Sequence, residues 1–473
     1  MAQAPTVALP KRLPLVLQPE NRDETTDKDA KLINGYMEKS TTQGEYFLFK
    51  RPGILQEGLT LAGAGLGIYN WLGDIYRIQG PTIYKNDVII AGGAPNGALD
   101  TAGGVYRFSS CLGATPSLQF GNGIATYNYN GTTLTAISGA NFPATGGVKG
   151  IVYLDGTSYV MNTEANIRGC TNLNDPTVWT DVLNTITAQI EPDGGVMLAK
   201  QLVYVIAFKQ WTTEVFYDAT NATGSPLSPV QGAKINYGCA SADSVQEIDG
   251  VLFWVATNRS SAAQIAMVDG LKVQIVSTKA IERLLGEADF SSVCSFGIKY
   301  EGHRFYGVTF KNNNLTIVYD MTDGMWSQWT DVDGNYFKIV SNTYNTSLGR
   351  ILQHESNGKV YLMDSAYYTD DGGIITTDLY TPNFDGGVRR RKQLNMMKFI
   401  GDKTPGSYFQ VRCNDYDYDQ SKWTNFRRVD LGTTDPILSN CGSFQRRAHH
   451  FRHQCATRLR IQGIELQMDL GTL

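Results

Sequence analysis

Short stretches in which apolar and polar residues alternate, each broken by a glycine-containing turn, recur along most of the chain. They include WLGDIYRI (71–78), YNGTTLTAI (129–137), VYLDGTSYVM (152–161), EIDGVLFWVATN (247–258), MVDGLKVQIV (267–276), KYEGHRFYGVTF (299–310), VYDMTDGMWSQW (318–329) and ESNGKVYLMD (355–364). A period of two puts every second side chain on one face of a strand. In HRFYGVTF, Tyr306, Val308 and Phe310 therefore share a face. A two-residue hairpin turn needs positive φ at both central positions, which Asp, Asn and Gly tolerate and β-branched residues do not. The segments thus predict antiparallel hairpins. Around 318–329, LTIVYD (315–320) and MWSQWT (325–330) form the two strands, Asp320 and Asp323 are turn carboxylates, and Trp326 and Trp329 are expected between sheets. NLNDPTVWTDV (172–182) repeats the device.

The hairpins recur in units of roughly 45 residues from about 61 to about 382, and four-stranded propeller blades repeat every ~40–50 residues, so that interval holds about seven. Helical signals are sparse. TKAIERLLGEA (278–288) predicts one short helix with Thr278 as its N-cap, and DAKLINGYMEKS (29–40) opens with helical character that Gly35 interrupts. The fold class read from the pattern is all-β: a β-propeller of about seven blades with a C-terminal β-rich domain. The expected divisions are an N-terminal arm (1–55), the propeller (56–382) and a C-terminal docking domain (383–473). LPLVL (13–17) is expected to complete a blade.

Composition supports this picture. Apolar residues are 42% and aromatics 11% of the 473 residues, which excludes a disordered chain. With 49 Gly, 25 Tyr and only 18% charged residues, short strands and tight turns are favoured over long exposed helices. The N-terminal residues lack a sustained apolar core, so no signal peptide is expected, and no stretch reaches the ~18 apolar residues of a membrane helix. The seven cysteines are odd in number and scattered, and read as reduced, mostly buried thiols.

Charge adds a further point. The net charge is −4, but from Gly386 onward 15 Lys/Arg stand against 8 Asp/Glu, while the first 385 residues carry 26 against 37. A basic C-terminal end on an acidic body suits docking to a charged neighbour. The candidate partner-docking patch is Arg389, Arg390, Arg391, Lys392, Arg427, Arg428, Arg446 and Arg447.

Catalytic and metal-binding signals are weak. GAGLG (63–67) precedes a strand-like segment rather than a helix, so it reads as a sheet turn and not a phosphate loop. Asp415, Asp417 and Asp419 alternate as in a calcium loop, but Gln420 and Phe426 stand where that loop needs Gly and Glu. A solvated edge or a row of salt bridges to nearby arginines is the expected role. His449, His450, His453 and Cys455 form a compact group with no second cysteine pair at zinc-ligand spacing. No catalytic residue, cofactor site or metal site is assigned.

Three segments resemble packaged-DNA stabilisation proteins of short-tailed bacteriophages, also called tail hubs, nozzles or tail accessory factors. They are DAKLINGYMEKSTTQGEYFLFKRPGI (29–54), with Asn34-Gly35-Tyr36-x-Glu38 and Lys50-Arg51-Pro52-Gly53; 190–226, with Pro192-Asp193-Gly194 and Thr213-Glu214-x-Phe216; and TRLRIQGIELQMDLG (457–471). The resemblance implies a non-enzymatic structural protein of the phage tail, made in the host cytoplasm and incorporated in the virion. It implies a homo-hexameric ring below the portal and adaptor rings that retains packaged DNA and conducts it during ejection. Implied partners are the portal or adaptor ring, a tail needle, tailspike or fibre protein, and the passing double-stranded DNA, with no membrane. Two other readings remain open at this point: a phage-tail propeller glycan hydrolase, which would need two carboxylates facing across a cleft, and a cytosolic propeller adaptor that binds proteins.

Overall fold

The computed structural model describes residues 11–13, 15, 30–40, 46–90, 95–113, 115–260, 262–388 and 390–471. It divides into two compact units that interleave along the chain. One contains Gln56–Asn314 and Lys338–Met363, and the other Met1–Leu55, Leu315–Phe337 and Asp364–Leu473. The segment expected to form a separate N-terminal arm thus shares a unit with the C-terminal residues.

The first unit is a ring of seven consecutive sheet modules among the described residues. The innermost strands of the first four are Gly65–Trp71, Arg107–Cys111, Ile151–Leu154 and Gly195–Gln201, each opening a four-stranded antiparallel meander. The fifth is built around Val251–Thr257, which pairs with Gly238–Cys239, Gln246–Ile248 and Gln264–Asp269. The sixth contributes the hairpin Val293–Tyr300 and His303–Phe310, and the seventh contains Ile339–Asn345, Gly349–His354 and Val360–Asp364. This is a seven-module β-propeller, as the repeat length predicts.

The turns form for the stated reason. Positive φ occurs at both central residues of Asp155-Gly156, Asp249-Gly250, Glu301-Gly302 and Leu72-Gly73, and the flanking pairs Leu154↔Thr157, Ile248↔Val251, Tyr300↔His303 and Trp71↔Asp74 are directly opposed. Neighbouring sheets bury their aromatic and branched faces against each other. Trp71, Tyr76 and Ile78 of the first module meet Tyr106, Phe120 and Tyr129 of the second, and Phe208 of the fourth meets Trp254 of the fifth. The ring closes between seventh and first modules: Ile68, Ile75, Ile351 and Val360 cluster, Asn70 N donates to Thr343 Oγ1 at 3.0 Å, and Gly67 N donates to Gln353 Oε1 at 2.8 Å. The expected helix is present as Lys279–Gly286, capped by Thr278. All seven cysteines are free, and burial pushes the Cys239 and Cys294 thiols up to about 12.

The second unit is also built from strands. Lys392–Gly401 and Arg460–Leu470 form a long antiparallel pair, extended by Tyr46–Lys50, Gly35–Lys39 and Lys11–Arg12. A second sheet runs in the order Lys31–Ile33, Thr377–Tyr380, Ala448–His453, Tyr408–Asn414, Arg427–Asp430. One core holds Leu32, Leu48, Leu379, Phe399, Phe409, Val411, Phe451 and Ile464. Two expectations are corrected here. The segment 30–40 is two strands rather than a helix start, because Asn34 takes a positive φ and Leu32 and Met37 point into the core. Leu13 and Leu15 belong to this core, Leu13 N donating to Ile464 O at 2.8 Å, and complete no propeller blade, while Pro14, Val16 and Leu17 lie outside the described residues. Trp329 packs edge-on to Phe337 and Trp326 against Tyr319. Asp320, nearly fully buried, accepts from Thr322 N at 2.9 Å, which is the expected turn role.

Candidate docking surface

The eight basic residues grouped by sequence do not form one surface. Arg389 lies outside the described residues. Arg390 and Arg391 are exposed, Arg391 Nε donating to Ser443 Oγ at 3.0 Å. Lys392 is 2% exposed, and its ammonium donates to the carbonyls of Arg390 (2.8 Å) and Gln445 (2.9 Å). Arg447 is 4% exposed, held through Nε and Nη2 by Asp415 at 2.6 and 2.8 Å. These two are therefore withdrawn from the docking patch, because adjacent strand residues face opposite ways and the inward charge must find acceptors. Arg427 is exposed and donates to the carbonyls of Ser439 and Asn440 at 2.6 and 2.9 Å, and Arg446 stands 3.3 Å from Asp417. With Asp415 and Asp417 paired to arginines and Asp419 accepting from Ser421 N at 2.9 Å, the three carboxylates serve the turn and ion pairs.

The strand register assembles a surface that the basic runs did not indicate. On the second sheet of this unit, Arg412 lies over Trp423 and Phe426 at 4.9 and 4.7 Å, and Arg452 lies over Phe426 at 5.1 Å. Arg428 is 3.8 Å from the Tyr408 ring, and Lys31 is 5.2 Å from that of Tyr380. Arg452 Nε donates to Asp378 Oδ1 at 2.8 Å and Arg412 Nε to His450, so the terminal N–H groups of Arg412 and Arg428 are what this face offers to oxyanions. The signal available in sequence was the alternation within YFQVRCN (408–414), where Phe409 and Val411 are buried and Gln410 and Arg412 are half-exposed.

The histidines sit beneath this surface. His450 Nε2 lies 2.7 Å from Asp378 Oδ1, and Arg412 Nε donates to His450 Nδ1 at 2.8 Å, so the neutral ring carries its proton on Nε2. Among the described residues, His449 finds no hydrogen-bond partner for either ring nitrogen, and His453 uses only Nε2, 3.0 Å from Ser407 Oγ. Burial lowers both His449 and His453 to about 3. Both remain neutral in the fold while the unfolded chain takes up protons below about 6.5, so each adds a slope of about 1.4 kcal/mol per pH unit against folding as pH falls from there towards 3. We predict that His449→Phe lowers the slope of unfolding free energy against pH in that window by about that amount. An unchanged slope in denaturant titrations at pH 6 and pH 5 would contradict this assignment.

The fold is a β-propeller with a second, sheet-rich unit. The chain belongs to the phage stabilisation family, described as bacteriophage P22 Gp10, beta-propeller, whose family model matches residues 26–351. The family is a structural one, of virion components. No curated protein matches the sequence. Similar solved structures include the WD40 repeats of RRP9, at 10% identity over 67% of this chain and 99% of that one, with a TM-score of 0.41. YCF48 from Cyanidioschyzon merolae overlaps at 9% identity over 66% and 99%, with a TM-score of 0.41. The computationally designed Ika8 protein overlaps at 10% identity over 66% and 99%, with a TM-score of 0.40. No helix among the described residues is long and apolar enough to cross a membrane.

The motifs that carried the resemblance converge on two buried ion pairs. Asp193 and Glu214 both hold Lys209, at 2.8 and 2.7 Å. Arg51 Nε donates to Asn34 Oδ1 at 2.9 Å and Nη1 to Asp370 Oδ1 at 3.0 Å. Lys209 and Asp370 were not singled out by sequence, because nothing local marks them as partners.

Proposed function

We propose that this chain is a tail protein of the virion that assembles as a ring of six copies below the portal and adaptor rings, retains packaged DNA and conducts it on ejection. The observation that carries this reading is the family match over 26–351. A closed propeller supports it mechanically, since each sheet is clamped between two others and the body resists deformation. The stacked guanidinium face of Arg412, Arg428 and Arg452 is the proposed contact to an acidic neighbouring ring. By compact unit the charge is nearly even, 23 Lys/Arg against 24 Asp/Glu in one and 18 against 21 in the other. The grip is therefore local to this face rather than a property of an acidic body and a basic end.

Particles assembled without this chain are expected to fill with DNA and then lose it, read as nuclease-sensitive genome after packaging. Particles that keep their DNA would overturn the retention role. Native mass spectrometry of the chain bound to its neighbouring ring is expected to count six copies, and a persistent monomer in that mixture would overturn the ring.

A further inference from the structure

Residues of the second to fifth modules line a cavity of about 300 Å³, among them Arg107, Asn122, Lys149, Met197, Ser241 and Asp243. Two cations reach it without adequate partners. The Arg107 side chain is 21% exposed, and its Nη2 stands 3.7 Å from Asp243 Oδ1, beyond hydrogen-bond distance. Lys149 forms no ion pair among the described residues. A partly exposed guanidinium with so distant a carboxylate can take a second oxyanion on its terminal N–H groups.

Asp243 only partly offsets these charges. It accepts from Val105 N at 3.3 Å, and burial raises its carboxyl pKa against the pull of Arg107. It is held in place by close approach to Gly104, where an added Cβ would come 2.3 Å from Asp243 Oδ2. The remaining wall is largely carbon, from Val105, Val148, Ile151, Val196 and Met197.

We propose that this cavity binds a carboxylate on a short carbon stem, its oxygens on the Arg107 fork and near Lys149, its stem against Val196 and Met197. A monoanion fits better than a phosphate dianion, because Asp243 lies within the same cavity and like charges at this spacing repel. A planar carboxylate also matches the two-pronged edge of a guanidinium. The carboxylate comes either from a free organic acid or from an acidic side chain of a docked protein, and the test separates the two.

The intact chain is titrated by calorimetry with glutarate, with its dimethyl ester, with inorganic phosphate and with a capped Gly-Glu-Gly peptide. Saturable binding of glutarate, of the peptide or of both, with neither ester nor phosphate matching it, is the expected result. Tighter binding of glutarate assigns a free acid, and tighter binding of the peptide assigns a partner's side chain. Arg107→Met is expected to weaken binding about tenfold or more, the change that charge-assisted hydrogen bonds carry. Lys149→Met, at a half-buried position that leaves the propeller intact, is expected to weaken it less. Absence of binding by both acids, ester or phosphate binding as tight as glutarate, or affinity unchanged in both variants overturns the proposal.

Discussion

Lys209→Met is expected to destabilise the propeller by about 3–5 kcal/mol, the penalty for leaving buried carboxylates without their cation. Lys209 is fully buried, with its ammonium 2.8 Å from Asp193 Oδ1, 2.7 Å from Glu214 Oε1 and 2.8 Å from the Glu191 carbonyl. Asp193 also accepts from Trp211 N at 2.7 Å and Thr212 N at 3.0 Å. Burial pushes the Asp193 carboxyl up, but Lys209 and these backbone donors outweigh it and hold it below the usual range. A depressed carboxylate contributes stability above its unfolded pKa of about 4 and loses it as pH falls through the folded value. The Lys209→Met deficit should therefore be full at pH 7 and shrink in acid. Urea unfolding followed by tryptophan fluorescence measures it. A deficit under about 1 kcal/mol at pH 7 would mean that the two carboxylates find other partners.

Arg51→Met is expected to have an effect of similar size, about 3–5 kcal/mol, on the second unit. The guanidinium is fully buried. It donates to Asp370, Asn34 Oδ1 and the Thr330 carbonyl, the last at 2.9 Å, and lies 4.9 Å from the Phe337 ring. One side chain thus joins three stretches of chain that are remote in sequence, 319 residues separating Arg51 from Asp370. Arg51→Lys keeps the charge but cannot serve all these acceptors, because the planar fork is lost. It should recover only part of the deficit. Full stability in Arg51→Lys would show that charge alone suffices.

The propeller was legible because its signal is local. A turn such as Asp249-Gly250 announces its own backbone, and the flanking alternation announces which side chains are buried. The second unit was harder to read. Runs such as Arg390-Arg391-Lys392 and Arg446-Arg447 state charge but not facing, and each hides an inward residue. The aromatic-guanidinium face joins Lys31, Tyr380, Arg412, Arg428 and Arg452 through four strand pairings that no local pattern encodes. The Arg107 cavity escaped notice for the same reason. Its cations sit on different propeller modules, and nothing beside either of them in sequence marks a shared space.

Closure of the propeller between its first and seventh modules also governs how the chain comes to be folded. Ile68 N donates to Ser341 Oγ across 273 residues. During synthesis the first sheet must therefore wait, one flank bare, until residues beyond Lys338 leave the ribosome. Contacts of such separation form slowly, and the waiting apolar flank, with Ile68 and Ile75 uncovered, is the stretch on which a nascent chain would stick to another.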